Sequence, residues 1–161
     1  IGEAWRLAIQ GLLLLSALLI LRKRREAGFL LAISAFYVTS PLLKIVVDRP
    51  RPHHESIIVH AEMTSNSFPS GHAFGAIIIY VAIFMFAGII TGGNGRASLV
   101  LRTAAVFLLV IVALSRIYLG AHWPSDVIGG LVISATGVAL IHRIGRWPEG
   151  EAIQSEITFE T

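Results

Sequence analysis

The chain has 161 residues, 55 % apolar and 14 % charged, with a net charge of +3 and no cysteine, and its mean hydropathy is +0.74. Soluble domains average about 45–50 % apolar and about 25 % charged residues, so the composition argues against an ordinary soluble globule. It also excludes a disordered chain, a disulfide framework and thiolate chemistry. The charge is uneven: residues 149–161 hold four acids and no base, whereas the rest holds 13 bases against six acids. Those bases fall between long apolar runs with no aromatic–basic stripe, which points to lipid headgroups or phosphate as partners and away from nucleic acid.

Five apolar stretches follow in chain order: 7–21, 27–47, 73–91, 99–119 and 127–142. A helix needs about 20 residues to cross a hydrocarbon core of about 30 Å, and only a helix satisfies its own backbone there. The expected fold is therefore all-α, an integral-membrane bundle of about five transmembrane helices over residues 1–148. An acidic, cytoplasmic and poorly ordered tail is expected at 149–161. The cluster Arg22-Lys23-Arg24-Arg25 follows the first stretch instead of preceding it, so that stretch reads as a retained helix with a stop-transfer flank and not as a signal peptide.

The same cluster places the first connection in the cytoplasm. Alternation then puts 48–72 and 120–124 outside, and puts 92–102 and the end of the last helix, with Arg143 and Arg146, inside. Lys44, Arg49, Arg51 and Arg116 violate the rule by gathering on the outer face. Ionisable groups at membrane depth are functional candidates by default.

Three groups of residues lie on that face. Lys44 stands near the outer end of the second stretch, before Asp48-Arg49-Pro50-Arg51-Pro52, where two prolines end the helix and stiffen the segment that carries Arg51. By itself Lys44 would read as a snorkelling anchor. Ser67-Phe68-Pro69-Ser70-Gly71-His72 precedes the third helix, with Ser70 as its N-cap and free amides at the positive end of the helix dipole, a half-built anion site. Ser115-Arg116, His122 and Asp126 flank a turn in which Gly120 suits a helix C-terminus and Pro124 a first helical position. Asp126 can orient His122 by one ring nitrogen, or serve only as a first-turn acid. Together, three cations, a helix N-terminus, two histidines and a carboxylate on one face suit phosphoryl transfer through a covalent intermediate.

With these residues the chain resembles the type 2 phosphatidic acid phosphatase superfamily, which also includes vanadium haloperoxidases and bacterial acid phosphatases. Lys-x6-Arg-Pro matches Lys44, Arg51 and Pro52. Pro-Ser-Gly-His matches 69–72, and Ser-Arg-x5-His-x3-Asp matches Ser115, Arg116, His122 and Asp126, eleven fixed positions within 44–126. The resemblance implies that His122 is the nucleophile forming a phosphohistidine, that Asp126 orients it, and that His72 is the general acid and base. Lys44, Arg51, Ser70, Gly71 and Arg116 would bind the phosphoryl group, with no metal or cofactor.

Integral-membrane members commonly have six helices, with the first motif ending the third. Here it ends the second, as in a minimal five-helix form or a chain that lacks an upstream helix. His53, His54 and His60 match no standard metal-ligand spacing and read as part of a polar loop, 53–66, over the site. Trp123 and Tyr118 read as interfacial belt residues.

The expected activity is hydrolysis of a lipid phosphomonoester or pyrophosphate at the extracytoplasmic face of a bacterial plasma membrane. Candidate substrates are undecaprenyl pyrophosphate, phosphatidylglycerophosphate, phosphatidic acid and lipid A phosphates. Vanadate-dependent oxidation, and a site that merely binds or carries a lipid phosphate, are the alternatives.

Overall fold

The structure, a computed structural model, describes residues 4–53 and 65–145. The loop residues 54–64, with His54 and His60, and the acidic tail lie outside the described residues.

Six helices follow one another among the described residues: α1 (Ala4–Ile20), α2 (Arg24–Phe36), α3 (Thr39–Val47), α4 (Gly71–Ile90), α5 (Gly95–Tyr118) and α6 (Pro124–Gly145). They make five apolar segments, because α2 and α3 together form one of 24 residues, Arg24–Val47. Three more segments (α4, α5 and α6) are long and apolar enough to span a membrane, and α1 supplies a shorter apolar helix. At 1.5 Å per residue, α4 alone is about 30 Å long, the thickness of a hydrocarbon core.

The second stretch, expected from the sequence to be one uninterrupted helix, is interrupted. It breaks at Tyr37–Val38, one turn before Pro41. The proline ring collides with a regular helical carbonyl at Tyr37 and offers no N–H to it. The break is patched locally, where the Thr39 hydroxyl donates to the Phe36 carbonyl at 2.8 Å.

Helix α4 is the axis of the bundle. It touches every other helix, and 67 % of its apolar window is buried, against 11 % for α5. Phe74 stacks against Phe36 at 5.5 Å and meets Tyr37 edge-on at 5.9 Å, while Phe86 meets Phe29 edge-on at 6.1 Å. The outward side chains of α5, among them Leu99, Val100, Phe107 and Leu114, are exposed, as suits a helix whose solvent on that side is lipid.

Between helices in lipid, association depends on close packing, which small residues permit. Gly129, Gly130, Ser134 and Gly137 give α6 such a face. A Cβ on Gly130 would lie 2.8 Å from the Ser70 carbonyl oxygen, and one on Gly137 2.1 Å from the Phe36 ring. The first of these contacts presses the start of α6 against the turn that begins α4.

Candidate active site

The end of α3, the starts of α4 and α6 and the end of α5 meet at one end of the bundle. Each is terminated by a device that fixes a candidate side chain. Asp48 closes α3 in the left-handed region, with φ at 48°, just before the proline-stiffened segment that carries Arg49 and Arg51. Ser70 caps α4, its hydroxyl accepting from the Ala73 amide at 3.5 Å, so that Gly71 and His72 form the first turn, as expected. The Ser70 amide donates to the Asp126 carbonyl at 3.0 Å, tying the N-termini of α4 and α6 together.

The spacing between Arg116 and His122 follows from how α5 ends. Gly120, at φ 63°, is the left-handed residue of a Schellman motif. Its amide donates to the Ile117 carbonyl at 3.0 Å, and the Ala121 amide donates to the Arg116 carbonyl at 3.2 Å. The His122 amide also donates to the Arg116 carbonyl, at 3.3 Å, so the histidine leaves the helix at a fixed point. Arg116 itself is buried, with its Nε donating to the Ser115 hydroxyl at 3.1 Å.

Helix α6 starts with one half of a capping box. Trp123 is the N-cap, and Asp126 reaches back so that its Oδ2 accepts from the Trp123 amide at 2.9 Å. Asp126 is therefore a first-turn acid whose carboxylate also faces His122. Its carboxylate is fully buried and accepts two further bonds. Arg49 Nη1 donates to Oδ1 at 2.8 Å, and the Ser67 hydroxyl donates to Oδ2. His122 Nδ1 lies 3.8 Å from Oδ2, beyond hydrogen-bonding distance.

Arg51 spans the site. Its guanidinium donates to the Ser65 carbonyl at 2.7 Å and to the Ala121 carbonyl at 2.6 Å, and it faces His122 Nε2 at 3.3 Å. Lys44 Nζ donates to the Asn66 carbonyl, and the Asn66 side chain returns a bond to the Lys44 carbonyl at 2.9 Å. These contacts pin the segment before α4 to the end of α3. Burial pushes the His122 pKa down from 6.5 to about 4, helped by the positive charges of Arg51 and Lys44 and opposed by Asp126 and the main chain of Ser67. A neutral imidazole beside two cations keeps a free lone pair at neutral pH.

Of the residues singled out in the sequence, Lys44, Arg51, Ser70, His122 and Asp126 are joined by these contacts. Gly71 and His72 follow directly on the Ser70 cap, and Arg116 anchors the turn before His122. Two participants went unassigned in the sequence. Arg49 binds Ser125 Oγ at 2.7 Å as well as Asp126, with its guanidinium 5.8 Å from the centre of the Trp123 ring. Ser67, fully buried, stands between His122 and Asp126. Trp123, read as a belt residue, also donates its indole N–H to the Pro50 carbonyl at 3.1 Å, holding the Arg49–Arg51 segment against α6.

Comparison with known proteins agrees with this architecture. A model of the PAP2 superfamily matches residues 25–148. The decaprenylphosphoryl-5-phosphoribose phosphatase of Mycobacterium tuberculosis (strain ATCC 25618 / H37Rv) is 36 % identical over 138 residues, which cover 83 % of this chain and 70 % of that protein. An undecaprenyl-diphosphatase of Sulfolobus acidocaldarius is 28 % identical over 127 residues, 73 % of this chain and 55 % of that one. A crystal structure of a transmembrane PAP2 type phosphatidylglycerolphosphate phosphatase from Bacillus subtilis superposes with a TM-score of 0.74 at 24 % identity, over 90 % of this chain and 71 % of that one. It shares the fold. With a family match spanning most of the chain and all three motifs meeting at one end of the bundle, this protein belongs to the PAP2 superfamily.

Proposed function

We propose that this protein is an integral-membrane lipid phosphate phosphatase that works through a phosphohistidine on His122. The observation that carries the mechanism is the placement of a buried, neutral His122 with Nε2 facing Arg51 and Nδ1 turned toward the Asp126 carboxylate. In the first step His122 Nε2 attacks phosphorus, the P–O bond to the lipid breaks, and His72 gives its proton to the leaving oxygen. In the second, water attacks the phosphohistidine, His72 takes the water's proton, the P–N bond breaks, and inorganic phosphate leaves. Arg51, Lys44, Arg116 and the amides at the start of α4 stabilise the charge on the three equatorial oxygens. Asp126 holds the ring that becomes positively charged.

The relatives' names support polyprenyl-linked phosphates and pyrophosphates as the substrate class, with phosphatidylglycerophosphate, phosphatidic acid and lipid A phosphates as further candidates. The reaction would run at the extracytoplasmic face of a bacterial plasma membrane. The test is phosphate release from a panel of these lipids in detergent micelles with excess EDTA, alongside labelling of the enzyme from radioactive substrate, with the stability of the label compared in acid and in base. Release in EDTA with a base-stable, acid-labile label that disappears in His122→Ala is expected. A label retained in His122→Ala would overturn the nucleophile, and activity lost to EDTA and restored by one divalent metal would overturn the metal-free clamp.

A further inference from the structure

We propose that Ser67 is a positioning residue of the phosphatase reaction, its hydroxyl carrying the hydrogen-bonded link from His122 to Asp126 that a direct contact would otherwise make. The proposal rests on the reading of His122 as nucleophile and deepens it.

Three distances carry the argument. An arginine only donates, so Arg51 Nη1 at 3.3 Å from Nε2 requires that nitrogen to present its lone pair. The proton of a neutral ring is then on Nδ1. The Ser67 hydroxyl lies 3.4 Å from Nδ1, closer than the Asp126 carboxylate at 3.8 Å. The Ser67 hydroxyl in turn donates to Asp126 Oδ2. The chain thus runs from the Nδ1 proton to the Ser67 oxygen, and from the Ser67 proton to the carboxylate, with every donor matched to an acceptor.

The surroundings hold Ser67 to this role. The residue is fully buried, and its amide donates to the Arg49 carbonyl at 2.8 Å. Phe68, next to it, lies against Gly129, where an added Cβ would come within 2.3 Å of the ring. The remaining oxygen of Asp126 is held by Arg49, and Oδ2 also accepts from the Trp123 amide. The carboxylate is therefore clamped by groups from the proline-stiffened segment and from its own helix, and cannot swing freely to meet the ring. A hydroxyl that both accepts and donates bridges the gap, fixes the Nδ1–H tautomer and aims Nε2 at the phosphorus. The bridge also spreads the positive charge that develops on the ring when the P–N bond forms.

The test measures p-nitrophenyl phosphate hydrolysis by Ser67→Ala, Ser67→Thr, Asp126→Ala and the Ser67→Ala/Asp126→Ala double variant. Losing the aim of a nucleophile costs up to about 100-fold in rate, so Ser67→Ala should lose about 10- to 100-fold in kcat with KM within about threefold. Its main-chain contribution near the ring survives, so the variant isolates the hydroxyl. Ser67→Thr should recover most of the loss, and Ser67→Ala should add little once Asp126 is already alanine. A kcat for Ser67→Ala within twofold of the parent, or a full loss repeated in the Asp126→Ala background, overturns the proposal. A second measurement needs no variant of Ser67: in protein labelled with 15N-histidine, and assigned with His122→Asn, His122 should be protonated at Nδ1. Protonation at Nε2 in the neutral ring overturns the link. A phosphoenzyme that persists in His122→Ala would instead strike the nucleophile reading, and so separates the two failures.

Discussion

Two arginines of one short segment divide the labour at the site. Arg49 neutralises the Asp126 carboxylate, and Arg51 faces His122, the proposed nucleophile, where it repels a proton and remains available to an anion. The pH dependence of the reaction should report this division. A histidine whose pKa is lowered on folding keeps its neutral form as the pH falls, and loses it only through the lowered value. Activity that needs neutral His122 is therefore present above about pH 4 and lost as the pH falls through about 4, and not through 6.5. The acid limb of kcat/KM, corrected for the ionisation of the ester, should lie near pH 4. Arg51→Met removes one of the repelling charges, so its limb should move upward even though its activity is much reduced. An unsubstituted enzyme that loses activity around 6.5 would show that the ring is hydrated in the working state. Folding responds with the same sign: below 6.5 the unfolded chain takes up a proton that the buried ring refuses, so acidification weakens the fold.

At the scale of helices, α6 contributes its small residues more than its apolar ones. Gly130 and Gly137 lie on one face, but an added methyl would meet different neighbours. At Gly130 it meets the carbonyl of Ser70, which accepts from the Phe74 amide and cannot retreat without loosening the first turn of α4. At Gly137 it meets the Phe36 ring, far along the helix from His122. Overpacking typically costs about 1–3 kcal/mol, so both Gly130→Ala and Gly137→Ala should lower the unfolding temperature in detergent. Only Gly130→Ala should also lower kcat strongly, because it moves the Ser70 cap relative to Asp126. Equal kcat losses in the two variants would mean that the start of α4 is not seated by this contact. The elements themselves were legible from charge-free runs, and their ends from Ser70, Gly120 and Pro124. Pro41 signals the break at Tyr37, but the run of apolar residues around it masks that signal. Ser67 and Arg49 were harder to see, because their significance arises only when the segment after α3 folds across the start of α6. Nothing local in the sequence states that a carboxylate will be held 3.8 Å from its histidine with a hydroxyl between them.

For the molecule as a whole, the distribution of cations over the two ends of the bundle supports the proposed orientation. At the site end, Lys44, Arg49, Arg51 and Arg116 are each engaged with main chain, hydroxyl or carboxylate groups of the site. These bases have structural reasons to be there and carry little topological information. At the opposite end stand Arg22, Lys23, Arg24, Arg25, Arg96 and Arg143, with Glu26 as an acid among the described residues there. Bases in short connections and beside helix ends favour the cytoplasmic side, which supports the proposed orientation with that end inside and the site outside. An outward site is reached by a lipid phosphate of the outer leaflet without the headgroup crossing the membrane. The chain has no cysteine, so single cysteines can test this without background. His53 is exposed beside the site, and Ala97 is exposed in the first turn of α5 at the other end. In intact cells, His53→Cys should react with a membrane-impermeant maleimide and Ala97→Cys should not, and both should react once the membrane is permeabilised. The reverse pattern would place the active site in the cytoplasm and make substrates of the inner leaflet its target. Equal labelling of both in intact cells would indicate two orientations, and the charge asymmetry would then be too weak to fix the fold in the membrane.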